Sequence, residues 1–235
     1  MLAQRAYATV AGIVIAVTLG GCPDPNTYST PRTLAPGDLQ IQVSMSGFTG
    51  TGRGQTAVSP GLPSVGVRIG LADRLDVGAR LSGFSSVQAD LKYNFLRGRV
   101  DIAIDPMAQA YYYDVSGLRE AIGIAQLHLP VLFGVNLDEA TTLLFTPGFF
   151  AGLSTSPLEG SGASSVQVAS LSDGLGARLG LGLNVRVSDK LSWQPEVTVW
   201  HQFTDLDAWV CVFGIGLNAG AQPDYSDIGG SETSQ

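Results

Sequence analysis

Residues 174–187 read GLGARLGLGLNVRV, and this stretch decides the fold. Leu175, Ala177, Leu179, Leu181, Leu183, Val185 and Val187 fall on one side of a two-residue repeat. Gly176, Arg178, Gly180, Gly182, Asn184 and Arg186 fall on the other. A period of two sends successive side chains to opposite faces of an extended strand. One face is therefore apolar and uncharged over about ten residues, the length of one tilted β-crossing of a bilayer. The other face is polar and rich in glycine.

The same alternation recurs along the chain. Ten strands are expected, near 38–49, 62–72, 75–84, 86–96, 99–113, 121–135, 141–153, 174–187, 190–202 and 208–219. Their polar faces carry charges of both signs: Arg68, Asp76, Arg80, Asp90, Lys92, Asp101, Arg178, Arg186 and Glu196, with His128 among them. Ala72-Asp73-Arg74, Arg97-Gly98, Asn136 to Ala140 and Ser188-Asp189 make short connections. They alternate with longer ones at 50–61, 114–120, 154–173 and 203–207, and only Phe84-Ser85-Ser86 is tight where a long loop is due. Short turns on one rim and long loops on the other mark an antiparallel up-and-down transmembrane β-barrel, short side to the periplasm. Tyr93, Phe95 and Trp193 stand at the short-turn ends of their strands, Tyr112 and Trp209 at the long-loop ends. All five project onto the apolar face, as two interfacial aromatic girdles do.

Alternation alone leaves open which face is outside. A soluble ligand-binding barrel points its apolar face inward, a membrane barrel outward. The glycines of the polar face suit a narrow lumen better than a solvated surface. Charged residues make up only 14% of the chain, against about 25% in typical soluble domains. Both observations place the apolar face against lipid and the polar, glycine-rich face around a lumen.

The N-terminus tells of export. Residues 1–21 hold one charge, Arg5, and an apolar run from Ala8 to Leu19. That run is too short for a membrane-spanning helix and fits the core of a signal peptide. It ends at Leu19-Gly20-Gly21-Cys22, which resembles the lipobox of bacterial lipoproteins, so Cys22 is the expected lipidation (palmitate) site. Cys211, between Val210 and Val212, then lacks a disulfide partner and reads as a small apolar side chain. Residues 22–37, with Pro23, Pro25, Pro31 and Pro36, read as a tether carrying the lipidated cysteine. Residues 38–219 form the barrel and 220–235 a disordered polar tail. Both chain ends are expected on the periplasmic side. The 20 acidic against 13 basic residues argue against nucleic acid as a partner; the partners are the outer-membrane bilayer and a covalent lipid.

The turn Gly70-Leu71-Ala72-Asp73-Arg74-Leu75-Asp76-Val77-Gly78, and the strand from Gly180 to Val187 that turns at Ser188-Asp189-Lys190 into Leu191, resemble the small outer-membrane β-barrel proteins of Gram-negative bacteria, in a lipoprotein version. The resemblance spans roughly residues 38–219. It departs at the end of the chain: such proteins usually close on an aromatic residue, whereas here a polar stretch runs to Gln235.

Chemistry is sparse. Ser192, His128 and Glu196 offer hydroxyl, base and carboxylate to a lipid hydrolase, a role that some barrels of this class perform. An ion-paired lumen explains the same residues without catalysis. No metal-ligand spacing or phosphate loop is visible, no cofactor is expected, and ten strands are too few for an open aqueous channel. The expected role is structural or surface-interacting, with at most a narrow pore. A soluble periplasmic barrel binding an apolar ligand is the alternative, and a lipid hydrolase the third.

Overall fold

The computed structural model describes residues 24–52, 55–83, 86–115, 120–156, 167–168, 174–203 and 209–229. The strands are β1 (Leu39–Gly52), β2 (Gln55–Ala72), β3 (Leu75–Ser82), β4 (Ser86–Leu96), β5 (Val100–Ile104), β6 (Met107–Val115), β7 (Glu120–Asn136), β8 (Thr141–Ser156), β9 (Gln167–Val168), β10 (Leu175–Ser188), β11 (Leu191–Gln202) and β12 (Trp209–Gly220). A one-turn helix, α1 (Ser226–Gly229), follows them.

β5 and β6 are two halves of one wall strand. Both pair with β4 and β7, and the register carries across the break, Ile104 facing Val131 and Met107 facing His128, with a bulge in β4 between Asn94 and Leu96. The interruption falls at Asp105-Pro106 because proline has no N–H for the ladder. β9 pairs with Thr155 and Ser156 of β8 beyond the wall. The wall is thus a closed antiparallel barrel of ten strands, sealed where β1 meets β12 from Gln40–Gly220 to Thr51–Trp209. The ten strands stand where the alternation puts them.

Residues 50–61 differ from expectation. Instead of a loop they continue β1 to Gly52 and resume as β2 at Gln55, with Thr49 facing Val58 and Thr51 facing Thr56. The β1–β2 ladder thus persists past the point where the alternation in the sequence fades.

The apolar face points outward. Leu179, Leu181, Phe145, Phe213 and Leu217 are each about half exposed, whereas Asn94, Thr198 and Gln194 on the opposite face are fully shielded. Tyr93, Phe95, Trp193 and Trp209 belong to the outer face. Tyr112 lies on β6, and its side chain falls outside the described set. Cys211 is a free thiol on the outer face, half-buried opposite Thr49 and Val199.

Two terminal expectations are corrected. The segment expected as a solvated tether runs inside the barrel from residue 24 to residue 34, every residue buried. It leaves at Ala35 to Gly37, where the Gly37 N–H donates to Gly70 O (2.9 Å) and Gly37 takes a left-handed turn into β1 (φ +84°). The expected placing of the chain ends themselves falls outside the described residues. The barrel begins and ends at the short-turn rim, but the chain before β1 doubles back up the lumen. The tail is corrected from residue 221 to residue 229: it is ordered at the short-turn rim, with Tyr225 only 4% exposed. The expected signal segment 1–21 and Cys22 lie outside the described residues, as do residues 230–235.

Candidate functional site: the sealed lumen

Inward positions of the strands build a polar shaft, and the N-terminal segment fills its lower half. The wall alone supplies one ionic cluster. Arg68 on β2 bonds Asp76 on β3 and, at 2.5 Å, Asp90 on β4, while Lys92 Nζ lies 3.3 Å from Asp76. The inserted segment then takes up the groups that these pairs leave open. Lys92 Nζ donates to Ser29 Oγ (2.8 Å) and Thr30 O (2.9 Å), and the Leu34 N–H donates to Asp76 (3.2 Å).

Glu196 on β11 receives the segment most directly. Its carboxylate accepts the backbone N–H groups of Thr27 (2.9 Å) and Tyr28 (2.8 Å). Tyr28 sits at φ +46°, a left-handed conformation that costs a non-glycine residue about 1–2 kcal/mol. The turn aims two successive N–H groups at one anion, the geometry of a backbone nest. The Tyr28 ring needs the glycines of β12: a Cβ on Gly216 would come within 2.9 Å of three of its atoms, and one on Gly214 would collide with its hydroxyl. Gln42 donates to Tyr28 O at 2.8 Å.

At the short-turn rim, segment, wall and tail lock together. Arg32 pairs with Asp101 of β5 (2.8 Å) and with Asp227 of α1 (2.5 Å). Tyr225 lies between two guanidinium groups, Arg186 at 3.4 Å and Arg32 at 4.4 Å from its ring centre. Asn136 ties Asp101 to the next strand at 2.7 Å. The hydrogen bond from Arg32 holds the Asp227 carboxyl below the usual aspartate range.

The other half of the lumen holds an aromatic layer. His128 stacks on Phe150 (5.5 Å), which meets Trp200 edge-on (5.0 Å). Arg178 is buried beside them, its Nη1 touching Met107 sulfur at 4.0 Å.

Of the expected lumen residues, nine are buried and Arg186 is half-buried at the rim, where it bonds Glu139 O. Arg68, Asp76, Asp90 and Lys92 come together in one cluster. Arg80 reaches the inserted segment and Asp101 the rim lock. The expected hydrolase set does not assemble: Ser192 bonds Asn184, His128 Nε2 bonds Gln126, and Glu196 serves Thr27 and Tyr28. Among the described residues no hydrogen bond joins these three. No group of three or more His, Cys, Asp or Glu fit to hold a metal occurs among the described residues either. Asp24, Asn26, Thr27, Tyr28, Arg32 and Tyr225 are functional-site residues that pattern reading misses. The lumen-facing glycines at 214 and 216, bare where a side chain is needed to fill space, were the available signal.

No protein-family model and no curated protein matches the chain. Solved structures similar to it include Neisserial surface protein A (8% identity, 77% of this chain and 96% of that one, TM-score 0.42). They also include Ail, the attachment invasion locus protein of Yersinia pestis, in complex with a heparin analogue (10%, 79% and 99%, 0.42), and the outer membrane protease OmpT from Escherichia coli (9%, 80% and 98%, 0.43).

Proposed function

We propose that this chain is an outer-membrane β-barrel lipoprotein whose lumen is stoppered by its own N-terminal segment and whose role is structural or surface-interacting. Residues 1–21 direct export and are removed, Cys22 carries the lipid, and the short-turn rim with the C-terminal tail faces the periplasm. The long loops face outward and offer the contact surface. The lumen polar network works as a socket for the inserted segment, and the aromatic positions Tyr93, Phe95, Tyr112, Trp193 and Trp209 seat the barrel in the interface.

One observation carries this reading: the backbone of residues 24–34 lies where a solute would have to pass, and its hydrogen-bonding groups are matched to Glu196, Lys92, Asp76 and Asp101. Among the described residues the inward face is mainly polar and the segment 24–34 occupies it, which speaks against the soluble ligand-binding alternative. Ser192, His128 and Glu196 are not joined to one another by hydrogen bonds among the described residues, which gives the hydrolase reading no support. Three measurements together test the proposal: heat-modifiable gel mobility, carbonate-resistant membrane association, and palmitate labelling that disappears in Cys22→Ala. A carbonate-extractable protein without a heat shift would overturn membrane insertion. Palmitate retained after Cys22→Ala, or never incorporated, would overturn the anchor.

A further inference from the structure

The direction of the inserted segment determines where a lipid on Cys22 must go. The segment climbs from the short-turn rim, where Thr33 bonds Asp73 O, past Lys92 and Glu196, to Asp24. There Arg80 Nη2 donates to the carbonyls of Asp24 (2.8 Å) and Asn26 (2.9 Å) and to Gln88 Oε1 (2.7 Å). Arg80 and Gln88 are each two residues from the top of the β3–β4 hairpin, whose last pair is Ser82–Ser86. That hairpin is a saddle in the wall. Beside it β2 continues from Ser64, which faces Ser82, up to Gln55, and β6 continues from Tyr111, which faces Ser86, up to Val115. Cys22 precedes Asp24 by two residues, a reach of at most about 7 Å.

Directly below the saddle, the outer wall is hollowed. Two cross-strand alanine pairs, Ala89–Ala108 and Ala110–Ala125, form the floor of a depression, and Leu127 and Phe149 rise at its edge. It continues toward Pro106 as adjoining hollows of about 290 and 700 Å³. Val87, one residue below Ser86, stands at its upper end.

We infer that this alanine-floored groove holds the acyl chains of lipidated Cys22, which cross the β3–β4 saddle into the leaflet on the long-loop side. The inference rests on the lipoprotein reading above. A chain attached at most about 7 Å from Asp24, which Arg80 holds two residues below the hairpin top, is presented to the groove at far higher effective concentration than any free lipid. Acyl chains fill the space that alanines leave between larger neighbours, and the exposed surface of the floor is almost wholly apolar. The N-terminal segment is then held at both ends, by lipid above and by the Arg32 lock below.

Photo-crosslinking tests this in intact membranes. Cells are fed a palmitate analogue bearing a diazirine, irradiated, and the purified full chain is mapped by mass spectrometry. Adducts are expected within 87–91, 106–110 and 125–129, several-fold above the outer faces of β1 and β12. Ala108→Phe, or separately Ala125→Leu, should cut those adducts several-fold without loss of heat-modifiable folding. Label that is present and lost in Cys22→Ala, but spread evenly around the barrel or indifferent to both fillings, overturns the groove and leaves the anchor standing. Label that is absent, or that survives Cys22→Ala, overturns the anchor and the groove with it.

Discussion

Asp76 shows at the scale of one residue how wall and inserted segment depend on each other. It is wholly shielded and serves three donors: the Arg68 guanidinium, the Lys92 ammonium and the Leu34 N–H. Truncating one partner of a buried ionic group leaves the others uncompensated, at about 3–5 kcal/mol. Asp76→Ala is therefore expected to lower unfolding stability by that order, read from urea transitions in vesicles. Arg74→Ala, whose pair with Asp73 is exposed and 3.9 Å apart, is expected to change little. Equal effects of the two substitutions would show that the lumen cluster is not structural. Asp76 was legible as a lumen residue because it lies out of phase with Leu75 and Val77. Its bond to Leu34 was not, since nothing in a strand pattern announces a partner from outside the strands.

At the scale of elements, ten strands were legible and two terminal segments were not, for one physical reason. Reading for burial means reading for apolar residues, and that rule assumes an apolar core. Here the interior is polar, so the segment that fills it has the composition of a linker. Pro25, Asn26, Thr27, Ser29 and Thr30 look solvated, yet all are buried, with Thr27, Ser29 and Thr30 bonded to Glu196, Lys92 and Gln194 and Asn26 to Arg80. The tail is misread in the same way: Tyr225 sits among Asp224, Ser226 and Asp227 and is still buried between two arginines.

The tail also carries a pH dependence. The Asp227 carboxyl is held below its ordinary value by Arg32, so the folded state favours its ionised form. The resulting stabilisation is present above the unfolded value and is lost as pH falls through about 4 and below. Amide protection over residues 222–229, relative to the intrinsic exchange rate at each pH, should therefore fall on acidification, and Asp227→Asn should give low protection at every pH. Protection that stays constant with pH in the wild type would remove Asp227 from the lock.

At the scale of the whole molecule, the barrel inverts the soluble pattern. The outside is greasy, and the inside is an ionic shaft closed by residues 24–34 below and by His128, Phe150 and Trp200 above. Such a body is expected to sit in a bilayer without passing solutes, and its loops, not its lumen, are left free to meet partners. Planar-bilayer conductance tests this most directly, comparing the wild type with a variant lacking residues 24–34 that keeps its heat-modifiable mobility. A silent wild type and a conducting variant are expected. Steady conductance through the wild type, unchanged when the segment is removed, would contradict a lumen stoppered from within.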